Sequence, residues 1–191
     1  MARDGVLVAL LRGINVGGRN AVPMAALREV CEGLGWGDVR TYIQSGNVVF
    51  RPPAAAGAGG TKRAAALESA LERGIQERFG LAISVVVRGA AAWARSAASN
   101  PFPDASQREP NLVMMCLSKQ PPRRDAAEVL RGRAADGERV EVAGDAVWIH
   151  YAGGAGRSKL SPAVLDRAAG SAVTARNWRT VVKLSELAGE G

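Results

Sequence analysis

The order of apolar runs in the first ninety residues constrains the fold more than any other feature of this chain. Residues 5–12 (GVLVALLR) form a short, continuous apolar stretch of strand length. Pro23 then opens a segment in which Met24, Leu27, Cys31 and Leu34 recur at helical spacing until Gly35. Val39 to Gln44 and Asn47 to Phe50 are two β-rich runs separated by Ser45-Gly46, a short turn of the kind that closes a hairpin. After a Pro/Ala/Gly loop at 52–60, Thr61 is placed to cap a helix carrying Leu67, Leu71, Ile75 and Phe79, with Gly80 as its stop and Ile83 to Val87 as the next strand. The succession β-α-β-β-α-β is that of a ferredoxin-like split βαβ unit.

The second half repeats the pattern in outline. An Ala-rich helix around Trp93 leads into NPFPDASQREP, whose prolines and polar residues read as a connection between halves. Strand 111–117, a helix over about 123–133, strand 138–143, a turn at Gly144-Asp145 and strand 146–151 follow. Ser161-Pro162 starts a short helix that ends at Gly170. A final helix is expected after Thr174, with Trp178, Val181, Val182, Leu184 and Leu187 facing a core, and this leaves the second unit without its last strand. The expectation is an α+β chain of two ferredoxin-like subdomains in tandem, the second incomplete or modified. The boundary falls near residue 100, giving 1–100 with a connecting helix and 101–191 with an extra C-terminal helix.

Composition narrows the functional classes. At 47% hydrophobic and 23% charged residues the chain is of ordinary globular type. No apolar run is long enough to span a bilayer, and the N-terminal stretch lacks a secretory cleavage site, so a cytoplasmic protein without a membrane partner is expected. Cys31 and Cys116 have no CxxC or Cys/His companion, and two cysteines with one histidine are too few for an ordinary zinc site; no metal is expected. The net charge of +7 is carried mostly by arginines scattered from Arg3 to Arg179, compatible with nucleic acid, with anionic ligands, or with a compositional bias alone.

Three segments concentrate polar chemistry. In LLRGINVGGRN, Gly13, Gly17 and Gly18 join a strand to a helix and free backbone N–H groups to turn toward an anion, with Arg12, Arg19, Asn15 and Asn20 beside them. It is neither a Walker A sequence nor a GxGxxG fingerprint, so it points to no nucleotide cofactor. The alternative is a tight turn whose asparagines satisfy loop backbone. In TYIQSGNVVF, Gln44, Ser45 and Asn47 are uncharged hydrogen-bonding groups, suited to reading a ligand and poor as general bases. The loop 151–162 again places glycines and cations, with Ser158 and Lys159, before a helix start. His150, the only histidine, sits on a strand face opposite Val147 and Ile149 and reads as a surface or packed residue.

LLRGINVGGRNAVPMAALR, RTYIQSGNVVF, NPF at 100–102, GRSKLSP and TARNWRTVVKL together resemble the domain-of-unknown-function family 1697. The resemblance implies a bacterial cytoplasmic protein of two ferredoxin-like subdomains and supplies no activity or catalytic residue. It marks Arg12, Asn15, Gly17, Gly18, Gln44, Ser45, Gly46, Asn47, Ser158, Lys159, Arg176, Asn177 and Trp178 as family-motif positions. The leading expectation is a binding protein or enzyme for a small anionic ligand, phosphate-bearing molecules included, held by the 13–20 loop, the 44–47 turn and Lys159 or Arg176. A nucleic-acid-binding module is the runner-up, weakened because RTYIQSGNVVF lacks the aromatic pattern of an RNA-recognition strand. The third alternative is an interaction protein whose polar motifs are architectural.

Overall fold

The computed structural model describes residues 5–53 and 60–189; most of the Pro/Ala/Gly loop at 52–60 lies outside them. The chain divides into two compact units, one containing the residues up to Trp93 together with those from Leu184 onward, the other Ala94–Lys183. The fold is α+β, with one four-stranded antiparallel sheet in each unit.

In the first unit β1 (Leu7–Leu11), α1 (Met24–Gly33), β2 (Gly37–Tyr42), β3 (Asn47–Arg51), α2 (Thr61–Phe79) and β4 (Val85–Gly89) follow in order, and the sheet runs β2-β3-β1-β4. Its central strands are buried on both faces. Leu7, Ala9, Leu11, Val48, Phe50, Val85 and Val87 join Leu27 and Cys31 of α1 and Leu67, Leu71 and Ile75 of α2 in one apolar core. Trp36 stacks on Phe50 with ring centroids 3.8 Å apart. The two helices meet at Gly74, where a Cβ would lie 2.8 Å from Val30 Cγ1. Thr61 is the first residue of α2 and does not cap it: the preceding position is Gly60, at φ +109°, with no side-chain cap. Gly80 closes the helix in the left-handed conformation, its N–H donating to Gln76 O at 2.9 Å.

Strand β4 is an edge strand, and edge N–H groups need partners. Two carboxylates one helical turn apart on α2 supply them: Glu72 accepts from Val85 N and buried Glu68 from Val87 N, both at 2.9 Å. The helix α3 (Ala90–Ala98) follows, and Trp93 donates its indole N–H to Ser185 Oγ at 3.0 Å, tying the C-terminal segment to this unit.

The second unit repeats the order with β5 (Val113–Ser118), α5 (Ala126–Arg131), β6 (Arg139–Ala143), β7 (Ala146–His150), α6 (Pro162–Ala169) and β8 (Val173–Asn177); its sheet runs β6-β7-β5-β8. The expected absence of a last strand is therefore corrected. β8 pairs with β5 from Ser118↔Val173 to Met114↔Asn177, where the sequence placed the start of the final helix. Arg176 accounts for the difference. It is buried on a strand, whereas a polar residue beside helix-spaced apolar positions reads as helix. The helix α7 (Trp178–Gly189) starts one residue after β8, and Asn177 Oδ1 caps it by accepting from Thr180 N at 2.9 Å. Within the expected connection, α4 (Pro103–Arg108) is helical, with Pro103 in its first turn and Asn100 Oδ1 accepting from Phe102 N at 2.9 Å. Among the described residues no helix is long and apolar enough to cross a membrane.

Candidate functional site

The 13–20 loop and the hairpin turn between β2 and β3 are brought together in the first unit. Val16 to Arg19 is a tight turn in which Arg19 N donates to Val16 O at 3.0 Å. Gly17 and Gly18 have φ of +57° and +73°, a pair that defines a primed turn and favours glycine at both places. Below the turn Asn15 N donates to Asn20 O at 3.1 Å and Asn20 Nδ2 to Gly13 O at 3.0 Å. Asn15 and Asn20 are themselves left-handed, at +54° and +50°, a conformation asparagine tolerates better than most residues.

Asn15 then locks this loop to the hairpin. Its Oδ1 accepts from Val22 N at 2.9 Å, and its Nδ2 donates to Val22 O at 2.9 Å and to Gln44 O at 2.8 Å. From the hairpin side, Gly46 O accepts from Leu11 N at 2.8 Å. Gly46 is required twice over: φ is +76°, and a Cβ would lie 2.7 Å from both Leu11 Cβ and Ile14 Cδ1. Asn47 is fully buried and donates to Tyr42 O at 2.8 Å and Ser45 Oγ at 3.0 Å, holding the turn from inside.

These bonds sort the candidates of the first unit. Asn20, Ser45 and Asn47 bind within their own loops and Asn15 joins the two, while the exposed residues include Gly17, Gly18, Arg19 and Gln44. The side chains of Arg19 and Gln44 form no hydrogen bond or ion pair among the described residues. Arg12 is half-buried, and its backbone N–H donates to Ser84 O at 3.0 Å.

Ser158, Lys159, Arg176 and Asn177 belong to the second unit. Ser158 donates its hydroxyl to Glu138 Oε1, and the other carboxylate oxygen accepts from Ala135 N at 3.0 Å and Asp136 N at 2.8 Å. The Ser158 hydrogen bond, with these backbone donors, holds the Glu138 carboxyl below its ordinary range. Glu138 stands out only in the folded chain, since its partners lie up to twenty residues away in sequence. Arg176 donates to Thr174 Oγ1 and Ala175 O, both at 2.8 Å, and burial lowers its guanidinium pKa to about 10, leaving it protonated at neutral pH. Lys159 is exposed.

Groups suited to catalysis are engaged elsewhere. His150 is buried; its Nδ1 accepts from Arg139 at 3.2–3.3 Å, which leaves the proton on Nε2 facing Glu109 Oε2 at 3.0 Å. The Arg139 guanidinium lies 4.9 Å from the centroid of Phe102, within the NPF segment. Burial pushes the Cys31 and Cys116 thiols up to about 12, far from the range of a thiolate nucleophile. Among the described residues no group of three or more His, Cys, Asp and Glu side chains is placed to hold a metal ion.

Residues 5–148 match the family described as protein of unknown function DUF1697. The chain belongs to this family. The matched span ends at Trp148, so the family motifs read at 158–159 and 176–178 lie beyond it. Among solved structures, the chain is similar to the conserved bacterial protein SP0830 from Streptococcus pneumoniae, with a TM-score of 0.70 and 22% identity over 96% of this chain and 98% of that one. At that identity the likeness is one of fold. No curated protein matches the chain.

Proposed function

We propose that this DUF1697 protein binds a small anionic ligand at the paired turns of the first unit. One observation carries the reading. Asn15 fixes the 13–20 loop against the 43–46 turn, and the residues the locked pair leaves exposed include Arg19, Gln44, Gly17 and Gly18. Arg19 supplies a charge-assisted donor, Gln44 an adaptable amide, and Gly17 and Gly18 let an anion approach the backbone without side-chain obstruction. Phosphate-bearing molecules fall within this class, and the net charge of +7 favours their encounter. Lys159 and Arg176, of the second unit, are not required by the site.

Calorimetric titration with inorganic phosphate, sugar phosphates, nucleotides and carboxylates tests the reading. A specific binder is expected, weakened about tenfold in Arg19→Ala, the loss corresponding to one charge-assisted contact. Absence of any binder, or binding unaffected by Arg19→Ala and Gln44→Ala together, overturns it.

A second reading, an interaction protein with architectural motifs, draws on the fact that Asn15, Asn20, Asn47 and Ser158 are all bonded within the chain. A concentration-dependent mass in light scattering, abolished by changes at the turn pair, would favour it.

A further inference from the structure

The paired turns carry apolar as well as polar groups. Val16 and Ile43, 64% and 49% exposed, are the two most exposed large hydrophobic residues described, and each stands one residue from the Asn15–Gln44 hydrogen bond. Single exposed aliphatic residues are ordinary on protein surfaces. Two on turns tied to each other are a different matter, because the Asn15–Gln44 bond holds the turns that carry them together. Val16 is also bridged to Arg19 across the tight turn, which sets an apolar side chain beside a cation.

Ile43 adds an independent argument. Its φ of +48° places a β-branched residue in the left-handed region, where its side chain crowds the backbone. Asparagine or glycine would occupy that position with less strain, and among the described residues the three other non-glycine residues with positive φ are Asn15, Asn20 and Asp38. An exposed isoleucine gains little from the fold in return for the strain. Such strain marks positions where the side chain serves another purpose.

Resting on the proposed anion site, we infer that its ligand is amphipathic: an organic anion whose short apolar chain covers Val16 and Ile43 while its charge meets Arg19. Free phosphate and acetate satisfy only the polar half of this surface. The charge of Arg19, bridged to Val16, and the exposed Ile43 on the turn tied to theirs select the combined class.

The test is calorimetry and amide chemical-shift mapping with hexanoate, acetate and inorganic phosphate at equal ionic strength. Hexanoate is expected to bind at least about tenfold more tightly than acetate, since part of its chain leaves water. Val16→Thr with Ile43→Asn should bring hexanoate down to the acetate level and leave acetate unchanged, whereas Arg19→Ala should weaken both. Asparagine suits a left-handed φ, so Ile43→Asn is expected to keep or raise the melting temperature, which separates loss of binding from loss of fold. If acetate or phosphate binds as tightly as hexanoate and ignores Val16 and Ile43, this inference falls and the anion site stands. If none of the three probes binds, the inference falls; the anion site falls with it only if sugar phosphates and nucleotides also fail.

Discussion

The two units share an element order and a strand order, yet they fix their polar loops with different chemistry. The fourth strand of each sheet has its edge closed by a carboxylate from the preceding helix: Glu68 and Glu72 serve β4, and Asp166 Oδ1 accepts from Val173 N at the start of β8 at 2.8 Å. This is a residue-level repeat that sequence similarity between the halves does not display. Away from those edges the units diverge. The first holds its paired turns with asparagine amides, which carry no charge; the second, besides the amides of Asn100 and Asn177, rests its 135–136 segment on the Glu138 carboxylate. Amides hold a shape regardless of pH, and a carboxylate holds it only while ionised. The same fold thus carries paired turns held without a charge and, at Glu138, a loop contact that depends on one.

The largest expected effect separates the two hairpins. Gly46→Ala meets both a left-handed φ and the 2.7 Å approach to Leu11 and Ile14, and should cost about 3 kcal/mol or more. Gly144 in the β6–β7 turn has φ +63° and a looser nearest approach, 3.2 Å to Ser99 Oγ, so Gly144→Ala should cost about 1–2 kcal/mol. Denaturant unfolding of both variants checks the contrast. Equal losses would mean that the first hairpin is no more tightly built against its neighbours than the second.

Next in size is Asn15→Ala. It strips partners from Val22 N and O and from Gln44 O, and should cost about 2 kcal/mol, with amide exchange accelerated in both the 13–20 loop and the 43–46 turn. Acceleration in one turn alone would mean that the pair is not a single locked piece.

How much of this was readable beforehand follows from the range of each interaction. Leu67, Leu71 and Ile75 announce α2 because helical spacing is local, and Ser45-Gly46 announces a turn because two residues decide it. β8 is not legible as a strand because Arg176 is buried on it, and nothing nearby in sequence says that a strand will enclose a guanidinium. The turn motifs were legible as turns with candidate ligand groups. That Asn15 would spend its amide on Gln44, twenty-nine residues away, was not. Glu138 was invisible for the same reason: its carboxylate has meaning only once Ser158 and the 135–136 amides converge on it.

The smallest effect, and the one that addresses the amide-versus-carboxylate contrast directly, is acid dependence at Glu138. Its carboxyl is held below the ordinary value in the folded chain, chiefly by the Ser158 hydroxyl. A depressed folded value means that the stabilisation is fully present above the unfolded chain's value and is lost as pH falls through the folded one. The window therefore lies on the acid side of the ordinary glutamate pKa, well below neutrality. Glu138→Gln should lower stability at neutral pH and flatten the fall toward acid, because a glutamine still accepts one backbone N–H but has no charge to lose. Ser158→Ala should do part of the same by removing the strongest donor. Asn15→Ala should lower the whole stability–pH curve while leaving its slope unchanged. Thermal unfolding of the three variants at several pH values between neutrality and about pH 3 gives the comparison. A slope that survives in Glu138→Gln would mean that Glu138 is not the source of the acid dependence.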